Sequence, residues 1–330
     1  MQKTLLVKLV EEYYGAGKSE RVYGRLAEEM RLVGRSTWMP LWRCVAALRQ
    51  EFGPENVLVL GSTNDSLLAC LLGATSVNPL PPHYRCANCH YTALDRDHYE
   101  DGWDMPDAVC PVCGGSMDGD GHRLSSRSLA ARLPDISLRV PDEMRQLVTD
   151  FIPDYWQCMG ENGTFTVEPY SDEELTALRL VQSDGQQGII EIGALRDDAL
   201  TLEGLPPLTT TYHHIKAMGL QLAEGAWSRA EQIAIHRGDV DFLDVVAFRE
   251  DVYDLIRQHT PPKARAENGI PWQIMEAVRK GKYARCGMPE ELRHYLRCTL
   301  RLPKYYIDVL KRIEYLPRKG DCVARWMMEG

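Results

Sequence analysis

The sequence has no hydrophobic run long enough to cross a membrane. Its longest apolar stretch, about Leu67 to Ala74, falls far short of the ~20 residues that a membrane-spanning helix needs. The N-terminus leads from Met1 into an amphipathic segment with Glu11 and Glu12, which is not the pattern of a signal peptide. We therefore expect a cytoplasmic protein without a membrane partner.

The chain also lacks internal repeats and the composition of a disordered, collagen-like or coiled-coil protein. Hydrophobic residues make up 44% and charged residues 26% of its 330 residues, which is an ordinary globular profile. This length predicts about two domains. A Walker-type phosphate loop is absent too. Gly17-Lys18-Ser19 matches the end of that motif, but the motif's first glycine would fall at Glu12.

Positive charge is scarce except near the C-terminus. The net charge is −9, yet residues 257–330 hold 16 Lys and Arg against 8 Asp and Glu. Such an asymmetry favours an anionic partner for the C-terminal part, although a solvated helical surface explains it equally well.

Four of the ten cysteines form two CxxC pairs, Cys86 with Cys89 and Cys110 with Cys113. Each pair presents two thiolates from one tight turn, and two turns complete a tetrahedral set for a structural Zn²⁺ ion. Gly114 follows the second pair, where the turn needs conformational freedom. The remaining cysteines are scattered, and His90 and His98 are expected to be bystanders.

Periodicity divides the chain into a mixed first half and a helical second half. Helical spacing covers residues 3–14 and 19–50, and strands are predicted near 57–60, 136–140, 164–167 and 189–195. From about residue 209 onward the pattern is helical, with breaks at prolines and glycines.

Stretches at four co-linear places in the sequence resemble a known family. They are Val77–Cys86, Asp101–Asp107, Pro134–Leu138 and, near the C-terminus, Met275–Lys282 together with Pro303–Asp308. Each is similar to a motif of the PolC-type bacterial DNA polymerase III alpha subunits. The resemblance implies an α+β fold: a palm-like domain (1–77 and 125–205), an inserted zinc ribbon with four cysteine ligands (78–124) and helical fingers (206–330).

The resemblance also implies a site for two Mg²⁺ ions, and here the sequence departs from the family. Asp135 matches the first aspartate of the family's Pro-Asp-Ile-Asp-Leu motif, but Ser137 stands at the second, and a hydroxyl does not bridge metals as a carboxylate does. No segment matches the third aspartate. Glu191 is either a substitute carboxylate or a solvent-facing strand residue.

A second family feature is altered as well. The family binds the incoming triphosphate with a glycine- and serine-rich loop that carries an arginine. The corresponding stretch, which includes Gly61, Ser62 and Ser66, is shorter, lacks the arginine and gains Asp65. An anion site changed in this way is expected to have lost its ligand.

We therefore expect a catalytically inactive PolC-like protein that binds DNA weakly and without sequence preference, or binds a replication protein. Seven basic residues are the candidate phosphate contacts: Arg279, Lys280, Lys282, Lys311, Arg312, Arg318 and Lys319. Two alternatives stay open, an active Mg²⁺-dependent nucleotidyltransferase and a protein-interaction decoy without nucleic-acid binding. The oligomeric state is left open too.

Overall fold

The computed structural model describes residues 3–15, 20–33, 38–94, 98–130, 135–159, 165–169, 176–182, 185, 187–195, 200–262 and 269–329. Gly17-Lys18-Ser19 and Pro134, singled out above, lie outside these residues. The chain forms two compact units. The first comprises Met1–Asp198 and Val323–Gly330, and the second comprises Ala199–Cys322.

The first unit begins with three helices: α1 (Lys3–Tyr14), α2 (Glu20–Val33) and α3 (Trp38–Phe52). Their apolar side chains recur at helical spacing, as predicted, and bury Leu26, Trp42 and Leu48 in one core. A short helix, α4 (Leu67–Leu71), follows the first strand, and the longer helix α5 (Arg145–Met159) was not predicted from the sequence.

A five-stranded mixed sheet packs against this core. Its strands are β1 (Leu58–Gly61), β6 (Asp135–Val140), β7 (Phe165–Pro169), β8 (Thr176–Gln182) and β9 (Gln187–Ala194), in the order β1-β6-β9-β8-β7. Strand β6 pairs antiparallel with β1 and parallel with β9. Strand β8 was missed from the sequence.

Strands β6 and β9 alternate between a buried and a more polar face. Ile136, Leu138 and Ile190 belong to the hydrophobic core, whereas their neighbours Ser137 and Glu191 lie on the opposite face and are only half-buried. The alternation places Ser137 and Glu191 on the side of the sheet away from the core.

The part of the chain between β1 and β6 forms a smaller four-stranded sheet within the same unit. Its strands, β2 (His83–Cys86), β3 (Thr92–Ala93), β4 (Ala108–Val109) and β5 (Ser116–Asp120), run in the order β3-β2-β5-β4. Tyr84, Met105 and Met117 form a separate small core with two of the cysteines. So few apolar residues indicate that this module needs a metal or its neighbours for stability.

The second unit is helical in its described residues, apart from one bridge between Glu224 and Tyr315. Its helices are α6 (Thr211–Leu222), α7 (Arg229–His236), α8 (Arg249–His259), α9 (Ile270–Arg279), α10 (Lys282–Cys286), α11 (Glu290–His294) and α12 (Lys304–Arg312). A π-helical turn, Tyr295–Thr299, continues α11. A last helix, α13 (Lys319–Glu329), begins in the second unit, and its residues from Val323 onward belong to the first.

Residues 240–248 form no α-helix, although the helical pattern predicted from about residue 209 onward includes a helix over 240–258. The chain there forms a 3₁₀ turn, Phe242–Asp244, before α8 begins. Asp241 accepts a hydrogen bond from the backbone of Leu243, and Asp251 accepts two from the backbone of Ala247 and Phe248. Side-chain caps of this kind satisfy the backbone groups that a continuous helix would otherwise use.

None of the described helices is both long enough and apolar enough to traverse a lipid bilayer.

Candidate functional site

The four predicted cysteines come together at the end of the small sheet. The Sγ atoms of Cys86 and Cys113 are 3.5 Å apart, as are those of Cys89 and Cys110, and all four lie within 4.8 Å of one another. A tetrahedral zinc site with Zn–S bonds of about 2.3 Å separates its sulfurs by about 3.8 Å. The arrangement therefore fits a zinc ion with four thiolate ligands.

Two similar tight turns present these thiols. His90 N donates to Cys86 O over 3.0 Å, and Gly114 N donates to Cys110 O over 2.9 Å. Gly114 has φ +74°, a conformation that side-chain-bearing residues adopt only at a cost. A hydrogen bond from the backbone of Cys89 lowers the pKa of the Cys86 thiol to about 7, whereas burial and the neighbouring thiols raise the pKa of Cys89 to about 12. Without a metal, the cluster thus favours a thiolate at Cys86 and a protonated thiol at Cys89.

The unusual Asn-Pro-Leu-Pro-Pro-His stretch joins this module to the first helix. Asn78 Nδ2 donates to Asp120 Oδ2 over 2.7 Å and to the hydroxyl of Tyr14 over 2.9 Å. The hydroxyl of Tyr13 donates to the same Asp120 oxygen over 3.2 Å. Burial lowers the pKa of the neighbouring His83, which keeps this network free of an extra positive charge. The motif thus has a structural role.

On the polar face of the large sheet, Ser137 lies in register with Glu191 of the neighbouring parallel strand. Asp135 is the first residue of β6, the strand that contains Ser137, but its side chain lies outside what the structure describes. The Ser137 hydroxyl is buried and has no hydrogen-bond partner among the residues that the structure describes. The sheet therefore brings together the backbone positions of Asp135, Ser137 and Glu191.

Glu191 is already paired with a cation. Arg139 Nη2 donates to Glu191 Oε1 over 2.8 Å. Gly193 is the register partner of Arg139, and a Cβ atom there would lie 2.6 Å from Arg139 Nη1. The missing side chain leaves room for the guanidinium to lie against β9. A carboxylate neutralised in this way is a poor ligand for Mg²⁺, and the described residues hold no cluster of three potential metal ligands besides the cysteines.

The stretch matched to the triphosphate loop is folded into the interior. Gly61 ends β1, residues 62–65 form a 3₁₀ turn, and every side chain from Ser62 to Ser66 is buried. Trp42 Nε1 donates to Thr63 Oγ1 over 3.2 Å, and Asn64 Nδ2 donates to Val59 O over 2.8 Å. These side chains are thus bonded within the protein.

The Glu29 carboxylate accepts hydrogen bonds from backbone amides at the end of this loop. Its two carboxylate oxygens accept hydrogen bonds from the backbone N–H groups of Leu67 and Leu68, at 2.8 and 3.0 Å, and from the Ser66 hydroxyl at 2.8 Å. Arg25 Nε lies 2.5 Å from Glu29 Oε1 and neutralises it. The Glu29 carboxylate thus satisfies backbone donors at the start of α4 that have no partner within the helix.

Replacing Glu29 by alanine will lower the free energy of unfolding by about 3–5 kcal/mol, because it leaves Arg25 and two backbone amides without their partner. Glu29 is fully buried, and Arg25 is largely so. Urea denaturation followed by circular dichroism measures the loss. Exposed Glu51 is the matched control, and its replacement by alanine should change stability by less than about 0.5 kcal/mol. Equal losses in the two variants would contradict the assignment.

The predicted cations have different environments in the second unit. Lys319 is buried, with its Nζ 4.5 Å from the centre of the Tyr212 ring. Arg312 Nη2 lies 2.7 Å from Oε1 of buried Glu231, and the Arg279 guanidinium donates two hydrogen bonds to the Glu276 carboxylate. Lys282 is exposed.

The other three predicted cations are less buried than Lys319. Lys280 is exposed although it pairs with Glu276 at 3.2 Å, and Lys311 pairs with Asp308 at 3.5 Å. Arg318 is half-buried. The structure therefore does not gather the seven predicted cations into one exposed cluster.

Sequence reasoning missed two residues of these sites, Glu29 and Arg139. A signal for Glu29 exists, since Val22, Leu26 and Val33 place it on the apolar stripe of α2, where a charged residue needs a buried partner. Nothing comparable marks Arg139, because its partner comes from a strand 52 residues away.

Comparison with known proteins supports the motif resemblance. No protein-family model matches the chain. The DNA polymerase III PolC-type of Thermotoga petrophila is 34% identical over 98% of this chain, and that of Thermotoga maritima is 33% identical over the same share. The protein of the same name from Latilactobacillus sakei is 32% identical over 49% of the chain.

The chain spans about a third of the length of the two Thermotoga relatives, 33% in each case. Their alignments extend over 456 positions, more than the 330 residues of this chain, so the relatives contain internal segments without a counterpart here. The resemblance inferred from the motifs is confirmed: over nearly its whole length, this chain is similar to DNA polymerase III proteins of the PolC type.

Proposed function

We propose that this protein is a PolC-like protein without polymerase activity, which binds the backbone of DNA through its helical unit. In this proposal, residues 1–77 and 125–205 are the palm-like domain, 78–124 the zinc ribbon and 206–330 the fingers-like domain. A role on replicating DNA would place the protein in the cytoplasm.

The observation that carries the proposed inactivity is the position of Glu29. Its carboxylate holds the amides of Leu67 and Leu68 at the end of the loop that the resemblance assigns to the triphosphate. A triphosphate carries several negative charges, so it would have to displace a buried carboxylate and meet Asp65 as well. Both effects oppose nucleotide binding at this loop.

The polar face of the sheet supports the same proposal. Templated synthesis needs carboxylates that bridge two Mg²⁺ ions, and Ser137 supplies none. The salt bridge to Arg139 further weakens Glu191 as a ligand. An active enzyme would require Asp135 to bind both ions with one other acid.

The proposed DNA surface lies on the described residues between α10 and α12. Six basic side chains there are exposed: Lys282, Arg285, Arg293, Arg297, Arg301 and Lys304. Only two acids, Glu290 and Glu291, fall within the same stretch. Phosphate contacts of this kind carry no sequence information, so binding should be non-specific.

A replication protein is the second candidate partner, and one observation favours it. The zinc module exposes Val109 by 73% and Val112 by 66%; Val109 immediately precedes the second cysteine turn, and Val112 lies within it. Large exposed apolar side chains close together are more common where proteins bind one another than on a free surface.

Reversing the charge of Lys282, Arg297 and Lys304 to glutamate will weaken binding to a duplex by about 10- to 100-fold at low salt. Each lost phosphate contact should also reduce the slope of log K against log salt by about 0.9. Fluorescence anisotropy with a labelled duplex, repeated across a salt series, measures both quantities.

A matched triple reversal at exposed Arg31, Arg229 and Arg237 makes the same change in net charge outside the surface. It should leave most of the affinity intact. No binding at low salt, or equal losses in the two triple variants, would reject the DNA surface and favour the protein partner.

A further inference from the structure

The first unit contains a cavity of about 680 Å³ that shares no residue with the cysteine cluster or the polar face of the large sheet. One wall is the outer side of α3, where Arg43, Ala47 and Gln50 recur at helical spacing, and residues 72–76 line another side. Arg43 and Gln50 are exposed, so the cavity is open to solvent there. Small-molecule sites in proteins have volumes of about 300–1,000 Å³.

The charge around this cavity has one sign. Arg43 and Arg49 are the charged residues in its lining, in a protein whose net charge is −9. Arg49 is only 7% exposed, yet its terminal nitrogens donate to neutral oxygens, Gly73 O at 2.8 Å and Ser76 Oγ at 2.6 Å, and its Nε has no hydrogen-bond partner among the described residues. Exposed Glu55 acts on this guanidinium through space, but no carboxylate of the described residues forms an ion pair with it. A buried cation of this kind favours an anion from outside.

The remaining walls are aromatic and apolar. Tyr13 and Tyr155 come from α1 and α5, and Ala46 and Ala47 add small side chains between the arginines. Cys70 also lines the cavity, and burial raises the pKa of its thiol to about 12, so it adds no negative charge at neutral pH. Such a surface contacts a planar ring and does not repel an anion attached to it.

We propose that this cavity binds a small organic anion in which an aromatic ring carries a phosphate or a carboxylate. Arg43 and Arg49 attract the anionic group, and the tyrosine and alanine side chains contact the ring. This proposal depends neither on DNA binding nor on the polar face of the large sheet. It can therefore be tested independently of the proposed function.

Isothermal titration of the full chain with 1-naphthyl phosphate, 1-naphthoate and 1-naphthol tests the site. The two anions should bind with dissociation constants on the order of 10⁻⁴ M, since ligands of this size gain only modest affinity. Uncharged naphthol should bind at least about tenfold more weakly. Binding of naphthol as tight as that of the anions, or no binding of either anion, would overturn the proposal.

A matched pair of variants at half-buried Ala47 separates charge from volume. Ala47→Glu should weaken binding of the two anions at least about tenfold more than Ala47→Gln does. The two side chains fill the same space, but only glutamate repels an anion. Arg43→Gln should weaken binding of the two anions about three- to tenfold, whereas Arg31→Gln should leave their binding unchanged. Equal effects of the two Ala47 variants in folded protein would show that the site does not select for anions.

Discussion

Cys110→Ser combined with Cys113→Ser will release one zinc ion per chain and unfold the small sheet. Binding of a structural zinc ion contributes about 10–16 kcal/mol in small domains, far more than the few apolar side chains around Tyr84 and Met117 supply. Amide hydrogen exchange over residues 83–120 should therefore lose its protection, whereas the five-stranded sheet should keep most of its own. Metal analysis and exchange mass spectrometry measure the two effects.

Cys286→Ser combined with Cys298→Ser is the matched control, since both thiols are exposed and neither belongs to the cysteine cluster. This double variant should retain its zinc and its exchange pattern. Protein that contains no zinc when purified without chelator would contradict the metal assignment. A double Cys110 and Cys113 variant with unchanged exchange would show that the module folds without metal.

Purified protein will extend no primer in the presence of Mg²⁺ or Mn²⁺. Removing one member of a catalytic set costs about 10⁴-fold or more in rate, and here Ser137 replaces one carboxylate while Arg139 neutralises another. Ser137→Asp alone should restore nothing. Arg139→Asn combined with Ser137→Asp should also stay inactive, because Glu29 still occupies the loop amides.

Primer extension on a labelled template, resolved to single nucleotides, measures this result. A relative of the PolC type assayed in the same tubes is the positive control. A product that forms reproducibly and disappears in Asp135→Ala would overturn the proposed inactivity. It would also make Asp135, whose side chain the structure does not describe, a metal ligand.

Local patterns predicted the zinc site and most of the helices. The two CxxC spacings depend only on short turns, and the apolar stripe of α1 depends only on residues three or four positions apart. Where the prediction was wrong or incomplete, side chains decided the outcome, as with Asp241 and Asp251 before α8. Strand β8 was missed although Leu178 and Leu180 alternate with Arg179, a period of two that favours a strand.

The amino-acid order alone predicted, through the resemblance, that Ser137 stands where the family has an aspartate and that the loop from Gly61 to Ser66 lacks the family's arginine. These are changes of residue type, and no coordinates are needed to see them. The pairing of Arg139 with Glu191 and of Glu29 with the loop amides required the fold, because each joins residues more than 35 positions apart. Electrostatic interactions depend on distance in space, which only the packing of helices and strands sets.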